Sequence, residues 1–479
     1  MPWIPTPSDG LETSETLRSQ YETEQIISTL LTEQLAGSTP TGLELDTHVA
    51  FCRRLLDHPL PAYFVGLDAS RPWVLYWTLH SLAIAGQPID AALRARTAAT
   101  LSTFQNADGG FGGGPGQLSH LAPTYAAVCA LAYAGEEGWD VIDRSAMYRF
   151  LLSLKQPDGS FIMHVGGEVD VRGSYCALTV ATLLDLLTPE LTNAAANFIA
   201  SCQTYEGGLA AAAFSATAAW PDAPAAPLGE AHGGYAFCAA ASWAMLKGPS
   251  SSKRHNNDSS SPAHGDDLRG VDVLALLRWS ASMQANPIEG GGFRGRTNKL
   301  VDGCYSWWCG GLLPIAEYLL EEDKPAAATP DLVDLYDAAS LRQYVSLVAQ
   351  APGGGLRDKP GKSPDAYHTC YNLSGASSAT LPPVFSRSIY EQLVQSFQPA
   401  SNLSERSENP RTAGQDTKET DAQRSCQVYG RSLAWHVGRS RREDAMKHED
   451  LAFIHPLFNI CMPAVQATMA HFYRQNATL

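Results

Sequence analysis

The sequence contains no run of about 18 apolar residues, so it offers no helix that could span a bilayer. Its beginning, MPWIPTPSDGLETSETL, lacks the basic start and the apolar stretch of a secretory signal. Basic residues are scarce: 34 Lys and Arg stand against 49 Asp and Glu, for a formal net charge of -15. That balance disfavours a nucleic-acid partner, because the phosphate backbone selects proteins with a basic surface. We therefore expect a cytoplasmic protein without an integral membrane segment, in which a local basic cluster binds any anionic ligand.

A closed structural zinc site is not indicated either, since none of the ten cysteines forms a Cys-x-x-Cys pair. In an intracellular chain, ten cysteines are more typical of buried thiols or metal ligands than of a disulfide framework. The 479 residues are 44% hydrophobic, enough for the core of one large domain or two ordinary ones. The composition is therefore that of a globular protein whose cysteines are candidates for chemistry.

Glycine-rich turns recur along the middle of the chain, each with a Gln followed by glycine and then Phe or Leu. The five turns are FQNADGGFGG (104–113), LKQPDGSF (154–161), CQTYEGGL (202–209), MQANPIEGGGF (283–293) and AQAPGGGL (349–356). A small-residue-rich helical stretch with one tyrosine near its start follows each turn, and an earlier copy lacks the glycine turn. The six tyrosines are Tyr76, Tyr125, Tyr175, Tyr235, Tyr305 and Tyr371. With the amphipathic stretches between them, these repeats predict six hairpins, each of an outer and an inner helix.

Six such hairpins can form an open solenoid or close into a ring. The inner stretches are apolar on most faces, which favours closure, because an open form would expose them. We predict an all-α fold: an α-α toroid (α6/α6 barrel) of six helical hairpin repeats with a central cavity. The predicted domains are an N-terminal extension at 1–40, the toroid at 41–398 with a polar insert at 247–267, a low-complexity insert at 399–427, and a C-terminal segment at 428–479 that packs on the toroid.

The residue three positions before each tyrosine lies one helical turn away on the same face. In chain order these residues are Trp73, Ala122, Arg172, His232, Asp302 and His368. A ring would place all six around one mouth of the cavity. Any one of them alone is explained by a helix cap or by a bond to a neighbouring carbonyl. Four ionisable types in register favour a binding site instead.

Two neighbouring repeats supply residues of metal-ligand type. Asp302 and Cys304 come from the fifth unit and His368 from the sixth, giving one oxygen, one sulfur and one nitrogen donor. This set suits zinc, and three protein ligands leave a fourth position open, as in catalytic sites. Asp365, one turn before His368, is a candidate to orient the imidazole, although a solvent-exposed residue is an equally good explanation.

Basic and aromatic residues accompany the metal-ligand types. Arg294, Arg296 and Lys299, together with Arg172, His232 and the Tyr305 hydroxyl, could hold a diphosphate by charge-assisted hydrogen bonds, unless the arginines form only a solvated loop face. Aromatic residues at or near the inner-helix starts indicate a lining for a long hydrocarbon, although core packing explains any one of them. These are Trp73, Trp77, Tyr175, Tyr235, Trp307, Trp308, Tyr367 and Tyr371. The set indicates a thiolate that attacks the first carbon of an allylic diphosphate and forms a thioether.

Five stretches resemble the β subunits of the protein prenyltransferase family, and among them the farnesyl-transferring type. They are RPWVLYWTLHSL, VDVRGSYCAL, EAHGGYAFC, GGFRGRTNKLVDGCYSWW and DKPGKSPDAYHTCYNLSG, and the resemblance covers roughly residues 40–390 and the C-terminal helix. It implies a zinc-containing toroid and an obligate helical-repeat α subunit that contributes a lysine to the diphosphate site. The implied reaction transfers a farnesyl group from farnesyl diphosphate to the cysteine thiol of a C-terminal CaaX motif through a zinc-bound thiolate.

The resemblance also implies roles for individual residues. Asp302, Cys304 and His368 match the zinc ligands, and Tyr305 joins them as a catalytic residue. The other implied contacts are, for the diphosphate, His232, Arg296, Lys299 and Tyr305; for the isoprenoid, Arg172, Tyr175, Tyr235, Cys238 and Trp308; and for the peptide and the lipid-length pocket, Trp73, Trp77, Tyr367 and Tyr371. Asp358 matches a carboxylate linked to magnesium.

The lipid preference is indicated by bulk in the expected tunnel. Trp73 and Tyr371 resemble the large residues of fifteen-carbon enzymes, whereas Trp307 and Ala366 depart from the usual family pattern. A geranylgeranyl-transferring β subunit and a non-catalytic toroid scaffold are the alternatives. Terpene cyclases and chain-elongating synthases are disfavoured, because Asp-x-Asp-Asp and Asp-Asp-x-x-Asp motifs are absent.

Overall fold

The structure is a computed structural model, and it describes residues 4, 6, 14–37, 42–214, 225–246, 270–321, 335–399, 420–438 and 451–475. In chain order the α-helices are α1 (Glu15–Leu35), α2 (Leu45–Asp57), α3 (Arg71–Ile84), α4 (Ala91–Ser102), α5 (Leu121–Ala134), α6 (Glu136–Trp139), α7 (Arg144–Leu154), α8 (Val171–Leu183), α9 (Pro189–Thr192), α10 (Ala195–Ser201), α11 (Gly233–Leu246), α12 (Val273–Ser282), α13 (Tyr305–Trp308), α14 (Leu312–Glu321), α15 (Ala338–Gln343), α16 (Ala366–Thr380), α17 (Arg387–Ser396), α18 (Asp421–Leu433) and α19 (Met462–Phe472).

Shorter elements complete the described chain. Ala62–Ser70 and Pro287–Glu289 are 3-10 helices, and Tyr344–Ala349 continues α15 as a π-helix. Strands β1 (Ala212–Phe214) and β2 (Ala226–Leu228) pair antiparallel, as do β3 (Pro383–Phe385) and β4 (Trp435–Val437). Among the described residues, no helix is both long enough and apolar enough to cross a membrane.

Inner and outer helices alternate around the ring, so the predicted all-α toroid is confirmed. The inner positions are held by α3, α5, α8, α11, the pair α13 and α14, and α16. They are buried on nearly every face: α5 buries every residue except Ala122. The outer helices α2, α4, α7, α10, α12 and α15 bury a single stripe, as Met147, Phe150 and Leu154 do in α7. The small residues of the inner stretches thus allow the inner helices to pack closely on several sides.

The glutamines of the last three turns, Gln203, Gln284 and Gln350, each bond the residue that precedes the next outer helix. Gln203 accepts a hydrogen bond from the backbone N–H of Asp272 at 2.7 Å and donates to its carbonyl at 2.9 Å. Asp272 is the N-cap of the following outer helix, α12. Gln350, from the last turn, accepts from the backbone N–H of Glu44 at 2.7 Å, directly before α2. The last unit is thereby bonded to the first, which closes the ring.

The fifth inner stretch, GCYSWWCGGLL, differs from the single helix that the repeat pattern predicts. The structure divides it into α13 and α14, with Gly310 and Gly311 between them. The reason is the glycine pair, because glycine costs about 1 kcal/mol per residue in a helix interior. Gly375 of α16 packs against α13 so closely that a Cβ there would lie 2.3 Å from the Cβ of Ser306. The fifth and sixth inner helices therefore touch through their backbones at the start of α13.

The C-terminal segment 451–461 passes inside the ring. It reaches the carboxyl end of α3, where the Ala452 N–H donates to the Ile84 carbonyl at 2.8 Å. Three of the repeat tyrosines donate to three consecutive carbonyls of this segment: Tyr76 to Asn459 at 2.7 Å, Tyr125 to Phe458 at 2.9 Å and Tyr175 to Leu457 at 3.0 Å. The tyrosine repeat thus anchors the segment across half of the ring.

The segments predicted outside the ring are described only in part. The polar insert at 247–267 lies outside the described residues. Within the predicted insert at 399–427, residues 421–427 form the first turns of α18, and Thr420 with Gln423 makes a capping box at its start. Within the predicted extension at 1–40, α1 is a helix that buries Ile27 and Leu31.

Candidate metal centre and active site

Asp302, Cys304 and His368 converge where the fifth and sixth units meet. Their ligand atoms, a carboxylate oxygen, the Sγ and an imidazole nitrogen, all lie within 4.8 Å of one another. Asp302 and Cys304 precede α13, where the Cys304 N–H bonds Asp302 Oδ1 at 2.9 Å, and His368 lies in the first turn of α16. Gly375 permits the close contact between α13 and α16 that brings the two halves together. The three residues that the sequence predicted as zinc ligands are therefore neighbours in space.

Asp365 orients His368. The sequence alone left open whether Asp365 has this role or is only a solvent-exposed residue. Asp365 caps α16 by accepting from the His368 backbone N–H at 2.7 Å, and its Oδ2 lies 2.7 Å from Nδ1 of the same residue. Nδ1 therefore carries a proton, and Nε2 faces Asp302 Oδ1 at 3.3 Å. A nitrogen and an oxygen that are both bound to one tetrahedral zinc ion lie about 3.3–3.4 Å apart. The observed spacing fits two ligands of one metal ion.

The charges of these residues depend on one another. Burial alone would raise the pKa of Asp302, but the hydrogen bond and charge of His368 and the Cys304 N–H lower it. Burial alone would lower the pKa of His368, but the carboxylates of Asp302 and Asp365 raise it to about 10. Burial, followed by the charge of Asp302, raises the pKa of the Cys304 thiol well above its ordinary value. The polypeptide by itself therefore holds protons on Cys304 and His368 at neutral pH.

His232 and Tyr305 form a hydrogen-bonded pair near the metal ligands. His232 Nδ1 accepts from the Gly234 N–H at 3.1 Å, and its Nε2 lies 2.9 Å from the Tyr305 hydroxyl oxygen. Burial and then the charge of Arg296 lower the pKa of His232, so the ring is neutral at pH 7. Because Nδ1 accepts, Nε2 carries the proton and donates to Tyr305, whose own O–H is left to donate to a ligand. Burial raises the pKa of Tyr305, so that hydrogen is retained.

The hairpin 293–301 packs directly on Tyr305. A Cβ at Gly295 would lie 2.0 Å from Cζ of Tyr305, so only glycine allows this approach. The hairpin also supports the metal ligands, because the Asp302 N–H donates to the Phe293 carbonyl at 3.0 Å. The hairpin therefore contacts both Tyr305 and the backbone of Asp302.

The basic residues of this hairpin do not act as one group. Arg296 is ion-paired with Glu230 at the surface, and Lys299 is exposed. Arg294 instead pairs with the buried Glu289, with Nη2 and Oε2 2.8 Å apart. The predicted basic group therefore retains Arg296 and Lys299, but Arg294 is committed to another carboxylate.

Arg172 lies beside the ring of Tyr235, which in turn packs against His232. Its Nη2 lies 2.5 Å from Asp170 Oδ2, and its guanidinium carbon lies 5.9 Å from the centroid of the Tyr235 ring. The hydrogen bonds that Arg172 donates to Asp170 raise the pKa of Arg172, so the guanidinium is always charged. The Tyr235 ring lies 5.0 Å from His232 between centroids, and Cys238 is buried one turn further along α11. These predicted residues form a continuous surface from the cation at Arg172 to the His232–Tyr305 pair.

Eight aromatic rings, with at least one from each inner position, form a closed circuit of neighbours. Their centroids lie 4.4 to 5.8 Å apart, within the usual range of aromatic contacts. In order, the aromatic circuit is Tyr125, Trp73, Trp77, Tyr367, Tyr371, Trp308, Phe237 and Tyr175, which returns to Tyr125. The Tyr367 hydroxyl accepts from Trp308 Nε1 at 3.0 Å, and the Tyr367 ring lies 5.0 Å from the His368 ring between centroids. The metal ligands therefore lie at the edge of the aromatic circuit.

Sequence reasoning missed two members of the circuit and included one residue that lies behind it. Tyr125 belongs to the tyrosine repeat and could have been found by treating all six tyrosines alike. Phe237 has no such signal, because it is two residues after its repeat tyrosine, Tyr235. Trp307 was predicted to line the cavity, but it is completely buried and packs against Phe237 with the ring centroids 5.1 Å apart.

Asp358 approaches the metal ligands through its backbone. Its carbonyl accepts from the Gly303 N–H at 2.7 Å and from the Tyr344 hydroxyl at 2.9 Å. Its Oδ2 pairs with Lys359 at 2.5 Å, whereas its Oδ1 is buried without a hydrogen-bond partner in the described part of the chain. Burial and then the charge of Asp302 raise the pKa of Asp358, although Lys359 opposes the shift. One carboxylate oxygen thus remains to bind a cation.

The fold and this site together define a prenyltransferase of the α-α toroid class. The sequence model of the prenyltransferase α-α toroid domain matches residues 43–460. The chain is 40% identical over 402 residues to the protein farnesyltransferase subunit beta of Pyricularia oryzae, covering 78% of this chain and 72% of that one. It is 36% identical over 370 residues to the subunit of the same name from Schizosaccharomyces pombe, covering 77% and 85%. The chain therefore belongs to the family of protein farnesyltransferase β subunits.

A solved structure agrees in fold. Candida albicans protein geranylgeranyltransferase-I complexed with GGPP superposes with a TM-score of 0.59, covering 91% of this chain and 100% of that chain. At 18% sequence identity, the match supports the toroid and says nothing about the lipid.

Proposed function

We propose that this chain is the catalytic subunit that transfers a farnesyl group from farnesyl diphosphate to the cysteine thiol of a C-terminal CaaX motif. The observation that carries the proposal is the convergence of Asp302, Cys304 and His368 within 4.8 Å, at the edge of the aromatic circuit. A non-catalytic scaffold would need the toroid but not three convergent donors of different type.

The donor set supports zinc as the metal. One carboxylate, one thiolate and one imidazole leave a fourth position for a substrate atom. Zinc in this position would keep the substrate cysteine as a thiolate near neutral pH, where a free thiol is mostly protonated. Asp365 keeps Nε2 of His368 directed towards Asp302.

The leaving diphosphate is assigned to His232, Arg296, Lys299 and Tyr305. The Tyr305 O–H is free to donate to a phosphate oxygen, because its oxygen accepts from His232. Arg296 can exchange Glu230 for a phosphate at small cost, because exposed ion pairs contribute only about 0–1 kcal/mol. Donors held at the departing charge stabilise the transition state more than the ground state.

Asp358 is proposed to bind magnesium. Its buried Oδ1 has no hydrogen-bond partner in the described chain, and an oxygen ligand of this kind suits Mg²⁺. Magnesium would neutralise the diphosphate as it leaves.

The aromatic circuit supports a lipid substrate of limited length. Arg172, Tyr175, Tyr235, Cys238 and Trp308 are assigned to the isoprenoid wall. Trp73 and Tyr371 add bulk that favours fifteen carbons over twenty, and Trp77 and Tyr367 are assigned to the peptide side. A geranylgeranyl-transferring activity is the alternative, and it requires these large rings to move aside.

The partner is proposed to be the α subunit of a protein farnesyltransferase in an obligate heterodimer. Large apolar side chains are exposed in the segments that precede four inner helices, at the same end of the ring as the candidate metal site. They are Tyr63 (75% exposed), Val65 (78%), Leu118 (78%), Val165 (78%) and Tyr205 (96%). All ten cysteines are free, which fits the reducing cytoplasm that we propose as the location.

The test is to co-express the chain with a candidate α subunit, measure zinc by mass spectrometry, and assay transfer to a peptide ending in Cys-a-a-X. We expect about one zinc per heterodimer and faster transfer from farnesyl than from geranylgeranyl diphosphate. Arg296→Ala should raise the KM for the lipid diphosphate more than that for the peptide. A zinc-free active enzyme, faster geranylgeranyl transfer, or a larger peptide effect in Arg296→Ala would contradict the corresponding part.

A further inference from the structure

Helix α1 lies outside residues 43–460, the range matched by the family, yet it packs on the two units that carry the metal and diphosphate residues. Its Ile27 is completely buried, and a Cβ at Gly290 would lie 3.4 Å from Ile27 Cγ2 and 3.3 Å from Tyr344 Cδ2. Tyr344 in turn donates to the Asp358 carbonyl at 2.9 Å. Ile27 of α1 and Tyr344 therefore both pack around Gly290, and Tyr344 connects this contact to Asp358 beside the candidate metal site.

A polar network connects the same helix to the hairpin 293–301. Gln20 Nε2 donates to Glu24 Oε1 at 2.7 Å and to Glu289 Oε1 at 2.9 Å. Arg294 Nη2 donates to Glu289 Oε2 at 2.8 Å. Glu24 is 2% exposed and Glu289 0% exposed, so both carboxylates are shielded from water. We call Gln20, Glu24, Glu289 and Arg294 the N-terminal network.

Arg294 fixes the base of the hairpin that carries the proposed diphosphate ligands. It forms an antiparallel bridge with Val301, and its N–H donates to the Met283 carbonyl at 2.9 Å. Arg296 and Lys299 lie between Arg294 and Val301, so their positions depend on how this base is held. A shift of about 1 Å in such positioning groups is enough to lower activity markedly.

Packing alone does not account for the N-terminal network. Buried carboxylates and guanidinium groups are costly to desolvate, and apolar residues in their place are often as stable or more so. The apolar contacts of Ile27 and Leu31 already hold α1 against the ring. The charged groups fix the orientation of the Arg294 side chain. One oxygen of the Glu289 carboxylate accepts from Arg294, and the other accepts from Gln20 of α1.

We propose that Gln20, Glu24 and Glu289 are positioning residues that act through Arg294 to hold the hairpin 293–301 in the geometry that binds the prenyl diphosphate. This inference rests on the proposed function, since the hairpin's ligand is the diphosphate assigned there. It gives the N-terminal helix an indirect part in substrate binding, through Glu289 and Arg294.

The test uses the full-length chain with its α subunit. Glu289→Gln keeps the shape of the side chain but leaves the Arg294 charge without its carboxylate, and Gln20→Ala is a milder variant that separates α1 from Glu289. We expect Glu289→Gln to weaken farnesyl diphosphate binding, measured by quenching of tryptophan fluorescence, by about tenfold. The peptide KM and the zinc content should not change. The double variant Glu289→Gln/Arg294→Gln should recover part of the loss, because two amides pair without an unpaired charge.

Glu137→Gln is the matched control, because it removes an equal charge from the exposed pair with Arg94 in another part of the ring. It should bind farnesyl diphosphate as the unsubstituted protein does. The inference is overturned if Glu289→Gln and Gln20→Ala lower the melting temperature without changing the affinity for farnesyl diphosphate, or if lipid and peptide constants rise together. If the unsubstituted heterodimer itself fails to bind farnesyl diphosphate, the proposed function falls as well, so the two failures are distinguishable.

Discussion

Zinc binding to the metal-free heterodimer is expected to release about two protons at pH 7. Zinc binds a thiolate and a neutral imidazole, so each ligand must lose any proton that it carries beforehand. The carboxylates of Asp302 and Asp365 raise the pKa of His368 to about 10, and burial raises that of Cys304 well above its ordinary value. Both groups are therefore protonated across the neutral range before zinc binds. The lowered pKa of Asp302 means that it contributes no proton.

The affinity for zinc should rise steeply with pH. Because both pKa values are raised, lower pH opposes zinc binding, and the apparent affinity should rise about a hundredfold per pH unit near pH 7, a factor of ten for each proton. An imidazole at the ordinary value of 6.5 would be only about one quarter protonated at pH 7. The release would then be about 1.2 protons, which is measurably different.

Isothermal titration calorimetry in buffers of different ionisation enthalpy measures this number as a slope. A slope near one would refute the reasoning that the two carboxylates hold a proton on His368. Asp365→Asn removes one of those carboxylates and should move the slope towards one, because the pKa of His368 then falls. Glu137→Gln, far from the site in the exposed pair with Arg94, should leave the slope near two.

Three further outcomes are expected. Cys304→Ala should abolish zinc retention while the far-ultraviolet circular dichroism stays that of the folded ring, because one ligand contributes little packing; loss of the helical signal would point to a structural metal. Gly375→Ala should lower the melting temperature and zinc affinity together, with a cost of about 1–3 kcal/mol, because its Cβ would lie 2.3 Å from that of Ser306; unchanged zinc affinity would show that this contact does not hold the ligands. Gln203→Ala should cost about 0.5–1.5 kcal/mol in urea denaturation, because it removes two hydrogen bonds to the exposed backbone of Asp272 that water replaces only in part, and an unchanged free energy of unfolding would contradict that role.

The repeat pattern made the fold predictable. A tyrosine marks each of the six units and a glycine turn marks five of them. The glutamines of the last three turns bond the residue before the next outer helix, as Gln203 does with Asp272. Asp302 and His368 of the candidate metal site were predictable for the same reason, since residues three before the tyrosines share one face of each helix. Cys304 was predictable only as a neighbour of Asp302 with a thiol donor. The break between α13 and α14 was not, because the same small residues that suit a buried inner helix include the glycine pair that interrupts it.

The sequence by itself determined the number of units, the identity of the donor atoms and their register, because these depend on spacing within a single helix or turn. Only the tertiary structure decided which groups from distant parts of the chain meet: Gln350 with Glu44, Phe237 within the aromatic circuit, and Gln20 with Glu289. Those contacts join residues that belong to different units or, for Gln20, to the helix outside the repeats. Local periodicity carries no information about them, because it repeats in every unit, whereas ring closure and the docking of α1 each happen once.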